Sequence, residues 1–127
     1  MSTLTVATVK SNSSSPPVFQ NISGTQVGTL CRAWANFNMS GTLAIRNSFN
    51  VSSIVDNGTD VTVNFTNAMP DATYSIVTSQ SYQLGATYVQ GMQAPWGVYS
   101  ATQFGMQPFT GNSPFGEAQF LSFAVFR

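Results

Sequence analysis

The sequence predicts an all-β domain, an antiparallel sandwich or jelly roll of about seven or eight strands preceded by an extended N-terminal arm. Three observations predict it. Apolar and polar residues alternate at a period of two from Cys31 onward, as in "CRAWANFN" and "VTVNF". Turn signals such as Asn57-Gly58 and Pro70-Asp71 punctuate these runs. No segment holds the 3.6-residue period of an amphipathic helix.

Residues 1–30 form the arm. "LTVATV" suits a short strand, but "KSNSSSPPVFQNISGTQVGT" has no sustained period, and Pro16-Pro17 favours an extended backbone. Such a segment either lies along a partner or neighbouring subunit or remains a disordered leader. The domain proper spans 31–127. In "CRAWANFN", Cys31, Ala33, Ala35 and Phe37 fall on one face, with Arg32, Trp34, Asn36 and Asn38 on the other. "TLAIRNSFNVSSIV" reads as the next strand, with Leu43, Ile45, Asn47, Phe49 and Val51 sharing a face. Ile54 lies on the opposite parity, which a bulge near Ser52-Ser53 accommodates.

Asn57-Gly58 predicts a hairpin through a type I′ turn, whose two central residues need positive φ. Val61, Val63 and Phe65 then alternate with polar residues, "NAMPDA" turns the chain, and "TYSIVTS" is the next strand. Over 80–117, aromatic residues and Gln are interleaved with Gly and Pro. Short strands near 86–89 and 98–104 fit, joined by loops carrying Trp96 and Phe109. The last segment, "AQFLSFAVFR", is apolar on both faces: Phe120, Ala124 and Phe126 on one, Leu121, Phe123 and Val125 on the other. A strand of this kind lies between two layers or at a subunit contact.

With 127 residues the chain suffices for one domain, and such a domain buries roughly two thirds of its unfolded surface. Charged residues make up 6%, against about 25% in a typical soluble domain. The cations Lys10, Arg32, Arg46 and Arg127 balance the anions Asp56, Asp60, Asp71 and Glu117. A neutral chain without charge runs has no electrostatic footprint for nucleic acid or an anionic membrane, so neither is expected as a partner. No apolar run approaches the length that spans a bilayer. "MSTLTVATVK" lacks a basic stretch followed by a sustained apolar one, so no secretory signal is expected there. The Asn-x-Ser/Thr sequons at Asn12, Asn21, Asn38, Asn50, Asn57 and Asn64 then read as a by-product of composition. A weakly charged surface suits a protein covered by copies of itself, or alternatively a secreted adhesive domain.

Candidate chemistry is sparse. The chain has no histidine, which removes Ser-His-Asp and Cys-His arrangements. Cys31, the single cysteine, lies in an apolar strand and reads as a buried structural thiol. The three aspartates sit beside turn residues, where Asp serves local hydrogen bonding, so catalytic carboxylates are not expected. "DNGTD" places oxygens at Asp56 and Asp60 but lacks the further donors that a calcium loop needs. No catalytic residue, cofactor or metal site is therefore assigned. Tyr82, Tyr88, Trp96 and Tyr99, set among Gln, Ser and Gly, suit a surface that binds sugars or protein. Packing of a loop-rich rim is the commoner use of such rings.

"GTLCRAWANFN", "AIRNSFNVSSIVDNGTDVTVNFTNAMPDATYSIV" and "LTVATVKSNSSSPPVFQNISGT" resemble a group of short tailed-bacteriophage proteins of cyanophages and other aquatic phages. Similar segments occur at the ends of longer phage fibre proteins. The resemblance covers about residues 4–77; residues 80–127 match only as a variable β-region. It implies a virion structural protein, a homotrimer, with no catalytic residue carried over. Three expectations follow. The first is a tail-fibre or tail-tip component whose arm (1–30) anchors it to fibre or baseplate and whose loops (Tyr82, Tyr88, Trp96, Tyr99) meet a host surface glycan or envelope protein. The second is a capsid decoration, cement or head-spike protein seated on the major capsid protein. The third is a free carbohydrate-binding module or carbohydrate-active enzyme.

Overall fold

The computed structural model describes residues 5–10, 17–81, 90–110, 113–114 and 118–127. These residues form eleven strands and contain no helix. The chain divides into two compact units, Met1–Leu30 and Cys31–Arg127. The first holds β1 (Phe19–Gln20) and β2 (Gln26–Gly28), an antiparallel pair. Between them the Asn21 side chain accepts hydrogen bonds from the backbone N–H groups of Ser23 (3.0 Å) and Thr25 (2.9 Å), while Gly24 takes a φ of +80°. A stretch read as aperiodic thus contains a small hairpin, because one Asx side chain closes the turn that alternation fails to announce.

The second unit contains β3 (Cys31–Asn38), β4 (Ala44–Phe49), β5 (Val51–Asp56), β6 (Val61–Phe65), β7 (Ser75–Ser81), β8 (Gln90–Gln93), β9 (Gln103–Thr110), β10 (Ser113–Pro114) and β11 (Phe120–Phe126). They form an antiparallel sandwich. One sheet has the order β4-β3-β11-β7. In the other, β9 pairs β6 through Gln103–Met106, β8 through its second half and β10 at its end, with β5 beyond β6.

The inward faces follow the predicted alternation. Ala33, Ala35 and Phe37 of β3 and Leu121, Phe123 and Val125 of β11 are buried against Val61, Val63 and Phe65 of β6 and Phe104 and Met106 of β9. Phe104 meets Phe123 edge-on, with centroids 5.0 Å apart and planes at 86°. Such pairs are worth about 1 kcal/mol beyond the area they bury. The doubly apolar C-terminal strand, observed as β11 over Phe120–Phe126, is therefore a central strand, with one face in the core and the other outside.

Local readings are corrected: the strand expected near 98–104 starts only at Gln103, and the one expected near 86–89 lies outside the described residues. "TLAIRNSFNVSSIV" is not one bulged strand, since the chain leaves the first sheet at Phe49 and enters the second at Val51. Asn50 makes the corner with a φ of 56°. Its side-chain amide donates to the carbonyls of Arg32 (3.0 Å) and Asn67 (3.0 Å), and its Oδ1 accepts from the Asn67 N–H (2.7 Å). The irregularity expected near Ser52-Ser53 is present, as a register shift between Val51 and Ser53.

The Asn57-Gly58 hairpin also exists, but not as a two-residue type I′ turn. Residues 57–60 form the loop, and Gly58 alone takes positive φ, at 95°. The Asn57 N–H donates to the Asp60 carbonyl (2.9 Å), its side chain donates to Asp60 and Thr62, and the Asp56 carboxylate caps the Gly58 N–H (2.8 Å). These side-chain bonds stabilise a wider loop than the dipeptide alone calls for.

Candidate functional site

Of the four predicted recognition residues, Trp96 and Tyr99 lie on one rim, while Tyr82 and Tyr88 fall outside the described residues. The rim begins where β8 ends, passes the cis Ala94-Pro95 bond, and runs beside β9. The Trp96 N–H donates to the Gly105 carbonyl (2.7 Å), and the Gly105 N–H donates to the Val98 carbonyl (2.7 Å). A Cβ on Gly105 would collide with the Trp96 carbonyl. The loop backbone is thus laid directly against a strand that only glycine allows it to approach.

This anchoring leaves Trp96, Val98 and Tyr99 each somewhat over one third exposed. Tyr99 is also a structural group. Its ring lies 4.7 Å from that of Tyr74, and its hydroxyl donates to the Tyr74 carbonyl at 2.5 Å. The Tyr74 hydroxyl donates to the carbonyls of Ser100 and Gln103. Burial pushes the Tyr74 phenol well above its ordinary range, and the neighbouring Tyr99 adds to the shift. The Tyr74 phenol therefore stays a neutral hydrogen-bond donor. Trp96 supplies contact area on a fixed backbone, while Tyr99 packs and is only partly presented.

The carboxylates are dispersed into local structure. Asp56 and Asp60 belong to the 57–60 loop described above. Asp71 accepts a two-pronged bond from Arg127, Nε to Oδ1 at 2.9 Å and Nη2 to Oδ2 at 2.5 Å. This guanidinium, together with the Thr73 hydroxyl and N–H, holds the Asp71 carboxyl well below the usual carboxylate range. Glu117 lies outside the described residues. Among the described residues no three Cys, Asp or Glu side chains gather as metal ligands. Cys31 is half-buried, with its Sγ 3.2 Å from the Ala33 carbonyl.

A second surface, not singled out from the sequence, is the outward face of the β4-β3-β11-β7 sheet. Cross-strand register lines up Phe49, Trp34, Ala124 and Val77, an apolar row that touches all four strands. Phe49 is 55% exposed and Val77 60%. The next row is Asn47, Asn36, Ser122 and Ser79, in which Asn36 donates to the Ser122 hydroxyl (3.0 Å). Phe120, 51% exposed, lies beyond, with the Arg46 guanidinium 4.5 Å above its ring. The signal was present in the alternation of β3 and β11. It became legible only once register placed Phe49 and Val77 in the same row.

Fold and surfaces together define an antiparallel β-sandwich with a stapled aromatic rim and an apolar outer sheet face. No family model matches the chain, and neither do any curated protein or solved structure.

Proposed function

We propose that the chain is a non-enzymatic virion structural protein of a tailed bacteriophage. In this reading it is a homotrimeric tail-fibre or tail-tip component that assembles through its sheet surfaces and meets the host through its loops. The observation that carries the proposal is the outward Phe49–Trp34–Ala124–Val77 row, exposed at Phe49 and Val77 and half-buried between them, on a sandwich with 6% charged residues. Isolated soluble domains rarely leave such a row across a whole sheet uncovered. The sequence resemblance supplies the virion setting, and the glycine-stapled rim supports a fixed contact element rather than a catalytic cleft.

Electron microscopy and adsorption assays on particles lacking the protein test this. Missing fibre or tip density with reduced adsorption is expected. Smooth or fragile heads would move the protein to the capsid, as a decoration protein. Particles identical to the parent in form and adsorption would overturn the virion reading. On complete particles, Trp96→Ala is expected to weaken host binding by about 2 kcal/mol, the scale of an aromatic anchor. Unchanged adsorption would remove the rim from the contact.

A further inference from the structure

We infer that the outward face of the β4-β3-β11-β7 sheet is where copies of this chain meet, each covering the same face of another. The inference rests on the assembly reading above and names its surface. Three features of the face favour an identical copy as occupant.

The first is its pattern. The apolar row Phe49, Trp34, Ala124, Val77 lies beside the polar row Asn47, Asn36, Ser122, Ser79, and Phe120 adds a second exposed ring beyond it. Amides and hydroxyls both donate and accept, so a row of Asn and Ser can pair with the same row of another copy. A face polar through charges of one sign could not.

The second is charge. The four strands carry no carboxylate. Two cations flank the apolar row on this same face, Arg32 on the outward parity of Trp34 and Arg46 over the Phe120 ring. Arg32 is at the start of β3, and Arg46 is turned onto its own subunit, donating to the carbonyls of Phe37 (2.8 Å) and Gln119 (2.6 Å) and to Asn36 Oδ1 (3.2 Å). A strongly charged partner would leave its own charges unpaired over Phe49 and Val77, whereas a second copy brings apolar atoms to apolar atoms.

The third is area. Four strands at about 4.8 Å spacing and seven residues at about 3.3 Å each give a face of roughly 450 Å². Two such faces hide about 900 Å² before side-chain relief is counted, close to the ~1,000 Å² at which specific interfaces begin. The face lies at the small end for a specific contact, so association through it depends on concentration.

Sedimentation of the full chain across the micromolar range tests this, comparing Val77→Lys, Phe49→Lys and Val55→Lys. The first two place a cation on the face, on different strands, at positions already exposed. Val55, 48% exposed on β5, is the control on the other sheet. Circular dichroism confirms that each variant folds, and the two face positions are independent should one fail. The parent and Val55→Lys are expected to associate alike, and the face variants about tenfold or more weakly, since a buried lysine would lack a counter-charge. Folded face variants that associate like the parent would overturn the assigned surface while leaving the assembly reading in place. Equal weakening by Val55→Lys would also overturn it. A monomeric parent would overturn both.

Discussion

Gly105 and Asp71 show how single residues set this structure. The Trp96 carbonyl occupies the space above Gly105 that any side chain would need. Gly105→Ala must therefore displace the backbone of the rim, and is expected to destabilise by about 3 kcal/mol in denaturant titration. Trp96 fluorescence should shift in the same variant as the rim moves, and a neutral substitution would contradict the close approach. Asp71 gives a pH prediction. Arg127 and Thr73 depress its folded-state pKa, so its contribution is complete above the unfolded value near 4. It is lost as pH falls from there through the lower folded value. The Asp71→Asn chain should thus lose less stability than the parent on acidification below about pH 4, as followed by thermal melts. The contribution is small because the pair is exposed, 39% for Arg127 and 42% for Asp71. Asn50 marks the limit of sequence reading at this scale. It stands in an unbroken alternating run, and only its contacts with Arg32 and Asn67, 18 and 17 residues away, make it a corner.

At the scale of elements, legibility followed the source of each strand's stability. β3, β6 and β11 bury one face in alternation, so their residues announce them. β8 and β10 were not legible, because Gly, Pro and Gln there give no period and the strands are specified by backbone pairing with β9. Phe109, expected in a loop, lies in β9 for the same reason. On the candidate site, Trp96 and Tyr99 were legible as aromatic residues in a turn-rich segment. The fixing of their loop was not, since it depends on Gly105 meeting a chain segment from the previous connection. The β1–β2 hairpin of the first unit has its own turn, and the larger unit has its own core. A chain beginning at Gly28 is therefore expected to keep one cooperative melt within a few degrees of the parent. Loss of cooperative unfolding would make residues 1–27 integral to the sandwich.

For the whole molecule, the shortage of charge and the uncovered sheet face act together. A net charge of zero supplies no repulsion between copies, and the exposed Phe49, Val77 and Phe120 supply an apolar attraction. Neither feature serves a solitary domain, and both favour one whose outer sheet is covered in use. Light scattering coupled to size exclusion, on the unmodified chain at tens of micromolar, decides whether further copies cover that face. A mass of at least two 13.6 kDa chains is expected, falling on dilution. A mass of one chain at every concentration, from a folded and soluble sample, would contradict it.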